Sequence, residues 1–388
     1  MKTIINELTI KNFKSIKEIK LDCKQVNIFI GKPNTGKSNI LEAISLLTGD
    51  IGENKKFLEG SIYYENISEL FNMQETSNQI IVMSNIGAVQ LSYFSSDRMF
   101  VYFADNNGID SLNQTLKFTS SSDAIINFVK EKRSPQEEMQ ISDDVEKMLE
   151  DFHRIHHGRK VEVRGDSYSF CQMDREGVID NSHLVRLSPI RSYHYKRQSA
   201  HGNHEIGYLL PPHGDNLLEV LQHTPKLQEI IVDFFKPFGF DIVLIFDDPK
   251  GNKIKIQKKT GAFHVQLSYS LIADTLQRMI FHLAAIYSNK DSVILFEEPE
   301  AHTYAPYQSY LAGEIIEDEQ NQYFITTHSD LIFDSIVREN PEKVAVFIVG
   351  YDGSNTTIRP LTKDEITDQL NNYTSIFQNL DKYDTHES

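Results

Sequence analysis

The chain has 388 residues, of which 40% are hydrophobic and 24% charged, enough apolar mass for a large core and too much for a disordered chain. Its formal charge of -16 at pH 7 sets up a field that repels nucleic acid unless basic residues gather on one face. Cys23 and Cys171 are too few for a disulfide framework or a metal site. No apolar run reaches membrane-spanning length or forms a signal-peptide core, so a soluble, intracellular protein is expected.

Taken in order, residues 6–10 and 15–21 alternate apolar and polar side chains and read as two short strands, an antiparallel edge flanking Lys11, Asn12, Phe13 and Lys14. Residues 26–30 form an apolar strand. Gly31, Gly36, Lys37 and Ser38 then satisfy G-x-x-x-x-G-K-[ST], and Ile40, Leu41, Ile44 and Leu47 give the next stretch one apolar helical face. That strand, loop and helix is the context the motif requires. Glycines let the backbone fold so that successive N–H groups point inward at a helix start, where the dipole also favours an anion. Lys37 is expected to reach the β- and γ-phosphates of a nucleoside triphosphate, and the Ser38 hydroxyl to hold Mg²⁺. Gly31, Lys32, Pro33, Asn34, Thr35, Gly36, Lys37, Ser38 and Asn39 form the expected cradle.

Residues 49–54 read as loop, and 80–84, 88–93 and 99–103 as β-segments of an antiparallel lobe. From 121 to 157 the spacing turns helical, at Ile125, Phe128 and Val129 and again at Val145, Met148, Leu149 and Phe152. Pro135 and the acids around it break the pattern, so a short helical insert is expected and long coiled-coil arms are not. His153, His156 and His157 share a helical face there, but without an acid pattern a solvated helix end explains them better than a metal site.

Residues 161–163 and 168–173 suggest a hairpin, followed by a further segment at 184–190. Arg154, Arg159, Lys160, Arg191, Lys196 and Arg197, interleaved with Tyr193 and Tyr195, make either a basic patch or an ordinary surface loop. Asp215 reads as the N-cap of a helix running to about Phe235, and 241–246 with 253–257 as a hairpin.

The apolar strand from Val293 ends in Glu297 and Glu298, the order of a Walker B strand. Glu297 would steady the Mg²⁺ shell and Glu298 accept a proton from the attacking water, although acids after a buried strand also serve as plain turn residues. Residues 322–326 are another buried strand with Thr327, His328 and Ser329 directly after it, well placed to sense a γ-phosphate.

Four segments now act together: L-T-I-K-N-F-K-S-I at 8–16, the phosphate loop, L-F-E-E-P-E-A-H at 295–302 and T-T-H-S at 326–329. In combination they resemble the ABC-type ATPase heads of the SMC, RecF and OLD-like branch, above all small stand-alone prokaryotic ATPases of the OLD-like group. The resemblance covers nearly the whole chain outside the helical insert. It implies an α/β fold, a P-loop ABC-type head with a mixed central sheet, an antiparallel β lobe and a short helical insert. The implied division is 1–120 for an N-terminal lobe with the phosphate loop, 121–158 for the insert and 159–388 for a C-terminal lobe. ATP and Mg²⁺ are the implied ligands, with His328 as the switch histidine and Asn12, Phe13 and Lys14 on the base- and phosphate-side edge.

Two departures from the family pattern bear on mechanism. Glu297 stands where the family has aspartate, adding a methylene between backbone and metal shell. The segment 267–278 stands where the ABC signature belongs and lacks its glycines. Ile272, Leu276, Met279, Ile280 and Leu283 still make a helix face, with Ser270 as its cap. Ser270 and Asp274 would face a partner's nucleotide in trans; a buried helix with an N-cap serine explains the same residues. For the family's Q-loop glutamine, Gln79 and Gln90 are the candidates.

The implied activity is slow, regulatory ATP hydrolysis that drives a homodimer or higher homo-oligomer between shapes. The implied setting is a sensor subunit of prokaryotic anti-phage defence beside a separate effector protein. About sixty residues follow His328, fewer than the Toprim nuclease of larger relatives requires, so DNA cleavage is not expected. A nucleotide-dependent scaffold with little turnover and a DNA-repair ATPase are the alternatives, with nucleic acid disfavoured by the charge.

Overall fold

Three consecutive strands open the chain, β1 (Glu7–Phe13), β2 (Ile16–Asp22) and β3 (Val26–Ile30), and the third parts from the first two at once. The structure, a computed structural model, describes residues 4–49, 55–94, 98–105, 168–183, 188–198, 202, 206–246, 252–372 and 375–382. The expected helical insert, with His153, His156 and His157, lies outside the described residues, as do Arg154, Arg159, Lys160 and 161–163.

Strands β1 and β2 join β4 (Ile80–Ser84), β5 (Gly87–Phe94), β6 (Met99–Asp105), β7 (Tyr168–Met173) and β8 (Ile179–His183) in a seven-stranded sheet of order β2-β1-β4-β5-β6-β7-β8. Every pairing in it is antiparallel. The edge and the lobe expected as separate pieces are therefore one sheet, because the free side of β1 pairs with β4, Leu8 opposite Ser84 and Ile10 opposite Val82. Strands β7 and β8, assigned by sequence to the C-terminal lobe, complete this sheet.

Strand β3 instead enters a second sheet with β9 (Ile190–Tyr193), β13 (Val293–Glu297), β14 (Gln322–Thr326), β15 (Val344–Tyr351) and β16 (Thr356–Pro360), in the order β16-β15-β3-β14-β13-β9. Five of its strands run parallel and only β16 is antiparallel. Parallel strands covered on both faces read as unbroken apolar runs, and all five residues of β3 and of β14 are buried. This sheet is a wall between two cores. Val26, Ile28 and Ile30 face one, with Phe296, Ile325 and Val346; Phe29 faces the other, with Phe324 and Phe347. The rings of Phe324 and Phe347 stack on Phe29 from the two neighbouring strands, at centroid distances of 6.3 and 5.3 Å, pairs that contribute about 1 kcal/mol each beyond their area.

Helix α1 (Lys37–Ser45) packs on the Phe29 side, burying Ile40, Leu41, Ala43 and Ile44. It tightens into a 3₁₀ turn and stops at Gly49, which is left-handed at φ +62°. On the opposite side lie α2 (Leu217–His223), α3 (Pro225–Phe235), α4 (Asp274–Ser288), α5 (Ala305–Glu317) and α6 (Asp330–Glu339), whose apolar faces fill the first core. Helix α7 (Lys363–Asn372) follows β16.

The helix expected from Asp215 to Phe235 is two helices. Pro225 has no N–H to donate and restricts the residue before it, and Thr224 is accordingly non-helical at φ -117°, ψ 86°. The side chain of Gln228 donates across the break to the carbonyls of Leu221 and Gln222, at 2.8 and 2.9 Å. Asn216 rather than Asp215 precedes the first of them, and its side chain holds the loop through Leu210 N and Tyr208 O, at 2.7 and 2.8 Å, instead of capping. The hairpin expected at 241–257 forms as β10 (Asp241–Ile245) and β11 (Lys253–Thr260), and gains a third strand, β12 (Phe263–Ser268). Every residue of β12 is exposed, and it takes Leu267 and Ser268 out of the signature-like segment.

Candidate functional site

The parallel run brings four strand ends to one edge, where open α/β sheets place their ligands. Strand β3 delivers Gly31, β14 delivers Thr327, β13 delivers Glu298 and β9 delivers His194; the pairings Phe29 with Thr326, Glu297 with Thr326 and Phe296 with Tyr193 hold them level.

At the phosphate loop, a methyl group on Gly31 would lie 2.1 Å from the Val349 carbonyl, and one on Gly36 2.1 Å from Thr356 Oγ1 and 2.6 Å from Ser15 Oγ. Gly36 also sits at φ +96°, a conformation open to glycine and costly for other residues. The loop is pinned from outside as well. Thr356 Oγ1 donates to the Thr35 carbonyl at 2.9 Å and lies 2.6 Å from Ser15 Oγ, which accepts from Asn39 Nδ2 at 2.7 Å. Thr35 Oγ1 closes the turn onto the Lys32 carbonyl at 3.0 Å. Lys32, Pro33 and Asn34 form the exposed outer rim, and Ser38 and Asn39 are half-buried at the start of α1.

Lys37 is buried, and its ammonium donates to the carbonyls of Gly31 and Lys32 at 3.1 and 2.8 Å. Burial lowers its pKa, while Glu298 and then Glu297 oppose that shift. A cation bedded only on neutral carbonyls, with two carboxylates in range, fits a polyphosphate and its divalent counter-ion.

Glu298 takes a left-handed φ of +43° and donates its N–H to the Thr326 carbonyl at 3.0 Å. Its Oε1 lies 3.5 Å from His328 Nε2. Burial, then the charge of Lys37, lower the His328 pKa against the pull of Glu298, so the imidazole is neutral at neutral pH. The turn carrying it is held by Glu300, whose Oε1 accepts from Thr327 Oγ1 at 2.8 Å and from the His328 N–H at 2.7 Å. Burial raises the Glu300 pKa against those bonds. Ser329 caps α6, accepting from Ile332 N at 3.3 Å and donating to Gln308 at 2.7 Å, a cap that contributes about 1 kcal/mol.

Glu297 is partly exposed and lies 3.8 Å from His194 Nδ1. Sequence reasoning missed His194, Glu300, Ser15 and Thr356. The third acid of E-E-P-E was a usable signal for Glu300; the other three carry no local signature.

The edge implied for Asn12, Phe13 and Lys14 is corrected in part. Phe13 is wholly buried in the second core, on the apolar side of β1, and cannot face a base. Asn12 Nδ2 donates to the Gln79 carbonyl at 2.9 Å. Lys14 is tied to Glu42 of α1 and to the Tyr63 carbonyl, the latter at 2.9 Å. Neither Q-loop candidate stands at the strand ends: Gln90 is buried within the antiparallel sheet, bonded to Ser92, and Gln79 precedes β4.

Ser270 does not cap α4. It lies in a 3₁₀ turn, Tyr269–Leu271, with its hydroxyl 2.8 Å from that of Ser268, and Ala273 is the N-cap residue. Asp274 opens the helix and binds Arg278 Nε at 2.7 Å and the Tyr195 hydroxyl at 3.3 Å. Arg197 sits 3.8 Å away. In the described part of the basic segment Tyr193 is buried, Arg191 stacks on Tyr208 at 4.5 Å and Arg197 meets Asp274. Both cysteines are free; burial pushes Cys23 up to about 12 and Cys171 higher still. Among the described residues no three acid, histidine or cysteine side chains form a metal cluster, and no helix is long and apolar enough to cross a membrane.

Residues 1–176 match the family described as AAA ATPase domain. No curated protein matches the chain. Among solved structures, the Smc head bound to the C-winged helix domain of ScpA is 14% identical over 94% of this chain and 99% of its own, with a TM-score of 0.45. The SMC head domain from Thermotoga maritima is 12% identical over 92% and 99%, at 0.39. An Smc head with an extended coiled coil, bound to the C-terminal domain of ScpA derived from Pyrococcus furiosus, is 14% identical over 95% and 99%, at 0.41. Residues 1–176 are thus similar to an ATPase domain, and the phosphate loop and the acidic strand end lie at one edge of a mixed sheet.

Proposed function

We propose that the chain is an ATP-operated switch of the cytoplasm, in which residues 31–39 hold the phosphates of ATP, Ser38 and Glu297 hold Mg²⁺, and slow hydrolysis resets the shape. The observation that carries this reading is the meeting of Lys37, Glu297, Glu298 and His328 at one edge of the parallel strands. Bound Mg²⁺ would draw charge from the phosphate oxygens. Lys37 leaves its own loop carbonyls for the phosphates. Glu298 accepts the proton of the attacking water, and neutral His328 beside it orients that water or the γ-phosphate. Glu300 keeps the His328 turn in place.

Two copies joined head to tail by ATP complete the reading. The face a second copy would cover runs along β12 to the Ser270 turn, where Phe263 and Leu271 stay 76% and 69% exposed. The resemblance to nuclease-free OLD-like ATPases supports a sensor subunit of anti-phage defence working beside a separate effector. A scaffold with little turnover is favoured by the glycine-free 267–278 segment, in which Ser270 spends its hydroxyl on Ser268.

Glu298→Gln tests the proposal, since it keeps a hydrogen bond to the water and removes the base. Turnover should fall by about 10²-fold or more with ATP affinity near wild type. Trapped ATP should then shift the population to a dimer or larger assembly, read by light scattering with ATP and Mg²⁺. Intact turnover together with an ATP-independent mass would sink the base and the ATP-joined dimer alike.

A further inference from the structure

Beside the acid end of β13 stands a side chain that the phosphate-loop chemistry does not by itself require. His194 follows the last residue of β9, and the pairing of Phe296 with Tyr193 brings it level with Glu297. Its Nδ1 lies 3.8 Å from the Glu297 carboxylate and its Nε2 3.0 Å from the hydroxyl of buried Ser192. The backbone around the ring is held on both sides: His194 N donates to the Pro212 carbonyl at 2.9 Å, and its own carbonyl lies 2.8 Å from His213 Nδ1. The next residue is clamped too, with the Tyr195 hydroxyl 3.3 Å from both Asp274 and Gln277 and its ring 4.5 Å from the Arg278 guanidinium.

We propose that His194 is a positioning residue for Glu297, fixing the carboxylate of an acid that is one methylene longer than aspartate so that it can serve the Mg²⁺ of bound nucleotide. The inference rests on the ATP-switch reading above. Glutamate has one more rotatable bond than aspartate, so its carboxylate sweeps a larger volume, and order lost there is affinity lost for a hard cation that demands near-ideal geometry. A ring held at Nε2 by Ser192 has Nδ1 left for the carboxylate. At 3.8 Å the two are in electrostatic contact rather than hydrogen-bonded, and polar contacts of a catalytic site commonly shorten once its ligand is engaged. Partners of this kind, which touch the ligating group and not the metal, change metal affinity or activity by about 10- to 100-fold when removed.

The test measures ATP turnover against Mg²⁺ concentration, and metal-free ATP binding in EDTA, for the wild type, His194→Ala and His194→Gln. His194→Ala should raise the half-saturating Mg²⁺ by about 10-fold with metal-free ATP binding unchanged. His194→Gln, which keeps an N–H donor, should recover most of that loss. In a Glu297→Gln background, His194→Ala should add little, because its effect runs through the carboxylate. An unchanged Mg²⁺ requirement in His194→Ala, or the same shift in both Glu297 backgrounds, overturns the proposal. A uniform loss of metal-free binding and of Mg²⁺ response in both His194 variants also overturns it, since that is what a purely structural role predicts. A wild-type protein without Mg²⁺-dependent turnover overturns the ATP-switch reading itself, a result distinguishable from the others because it precedes any substitution.

Discussion

Two helix starts in this molecule are built in opposite ways. At Gly36 the chain passes straight from loop to helix through a left-handed glycine, wedged against Thr356 and Ser15. At Ser268 it leaves a fully exposed strand, winds through a 3₁₀ turn and enters α4 at Asp274 with no side-chain cap. The first is set by close contacts from distant parts of the chain, so its backbone N–H groups are aimed before a ligand arrives. The second is set by neighbours a few residues away and by the Tyr195–Asp274–Arg278 cluster. Under the proposed ATP switch, a preorganised nucleotide site beside a helix start without a side-chain cap would suit a head that meets a second copy only in one state.

The contrast breaks first at Gly36. Gly36→Ala sets a methyl group 2.1 Å from Thr356 Oγ1 at φ +96°, so ATP affinity should fall by about 10²-fold or more, as it should for Lys37→Ala. Calorimetric titration checks both, and wild-type affinity in Gly36→Ala would show that the close contacts at the loop do not set its shape.

Farther along α4 the helix is largely buried, and a buried histidine reports on its packing. His282 packs edge-on against Phe281 and Phe296 at 5.4 and 5.0 Å. Burial, reinforced by Arg278, holds its pKa down to about 3. An unfolded chain would protonate it near pH 6.5. Between those values the unfolded state binds a proton that the folded state refuses. Its share of stability is therefore complete above about pH 6.5 and is lost as pH falls towards 3, by up to about 1.4 kcal/mol per pH unit. Urea unfolding from pH 6 to 4.5 should show a shallower decline for His282→Leu than for wild type, and parallel slopes would move the acid sensitivity elsewhere.

Smaller effects are expected at the α4 start. Asp274→Ala removes the Arg278 and Tyr195 contacts on a partly exposed surface and should cost about 1 kcal/mol. Ser270→Ala should cost less than about 0.5 kcal/mol in thermal melts. If Ser270 meets a partner's nucleotide, that variant keeps its stability and loses the ATP-dependent change of mass; a melt that drops sharply instead would make the serine a structural residue.

What was legible in advance follows the same division. The strand 26–30 and the loop after it were readable because the motif is contiguous and each residue's task is local. The strands 293–297 and 322–326 were readable because full burial leaves an unbroken apolar run. The α2–α3 break carried its own signal in Pro225, yet the apolar period across it masked the stop. The Ser270 cap failed for a different reason: a serine before an apolar helix face is equally compatible with a 3₁₀ turn, and the strand β12 decided which one formed.

Sequence by itself determined the chemistry on offer, a phosphate loop, a strand ending in two acids and a histidine after a buried strand, because each lies within a few bonds of its neighbours. Tertiary structure decided the company these groups keep. That Thr356 closes on Thr35, that Ser15 receives Asn39, that Phe13 turns into the core and that His194 stands beside Glu297 all depend on which strands pair and in what register. A parallel sheet draws its neighbouring strands from remote parts of the chain, so such contacts have no spacing by which a sequence could announce them.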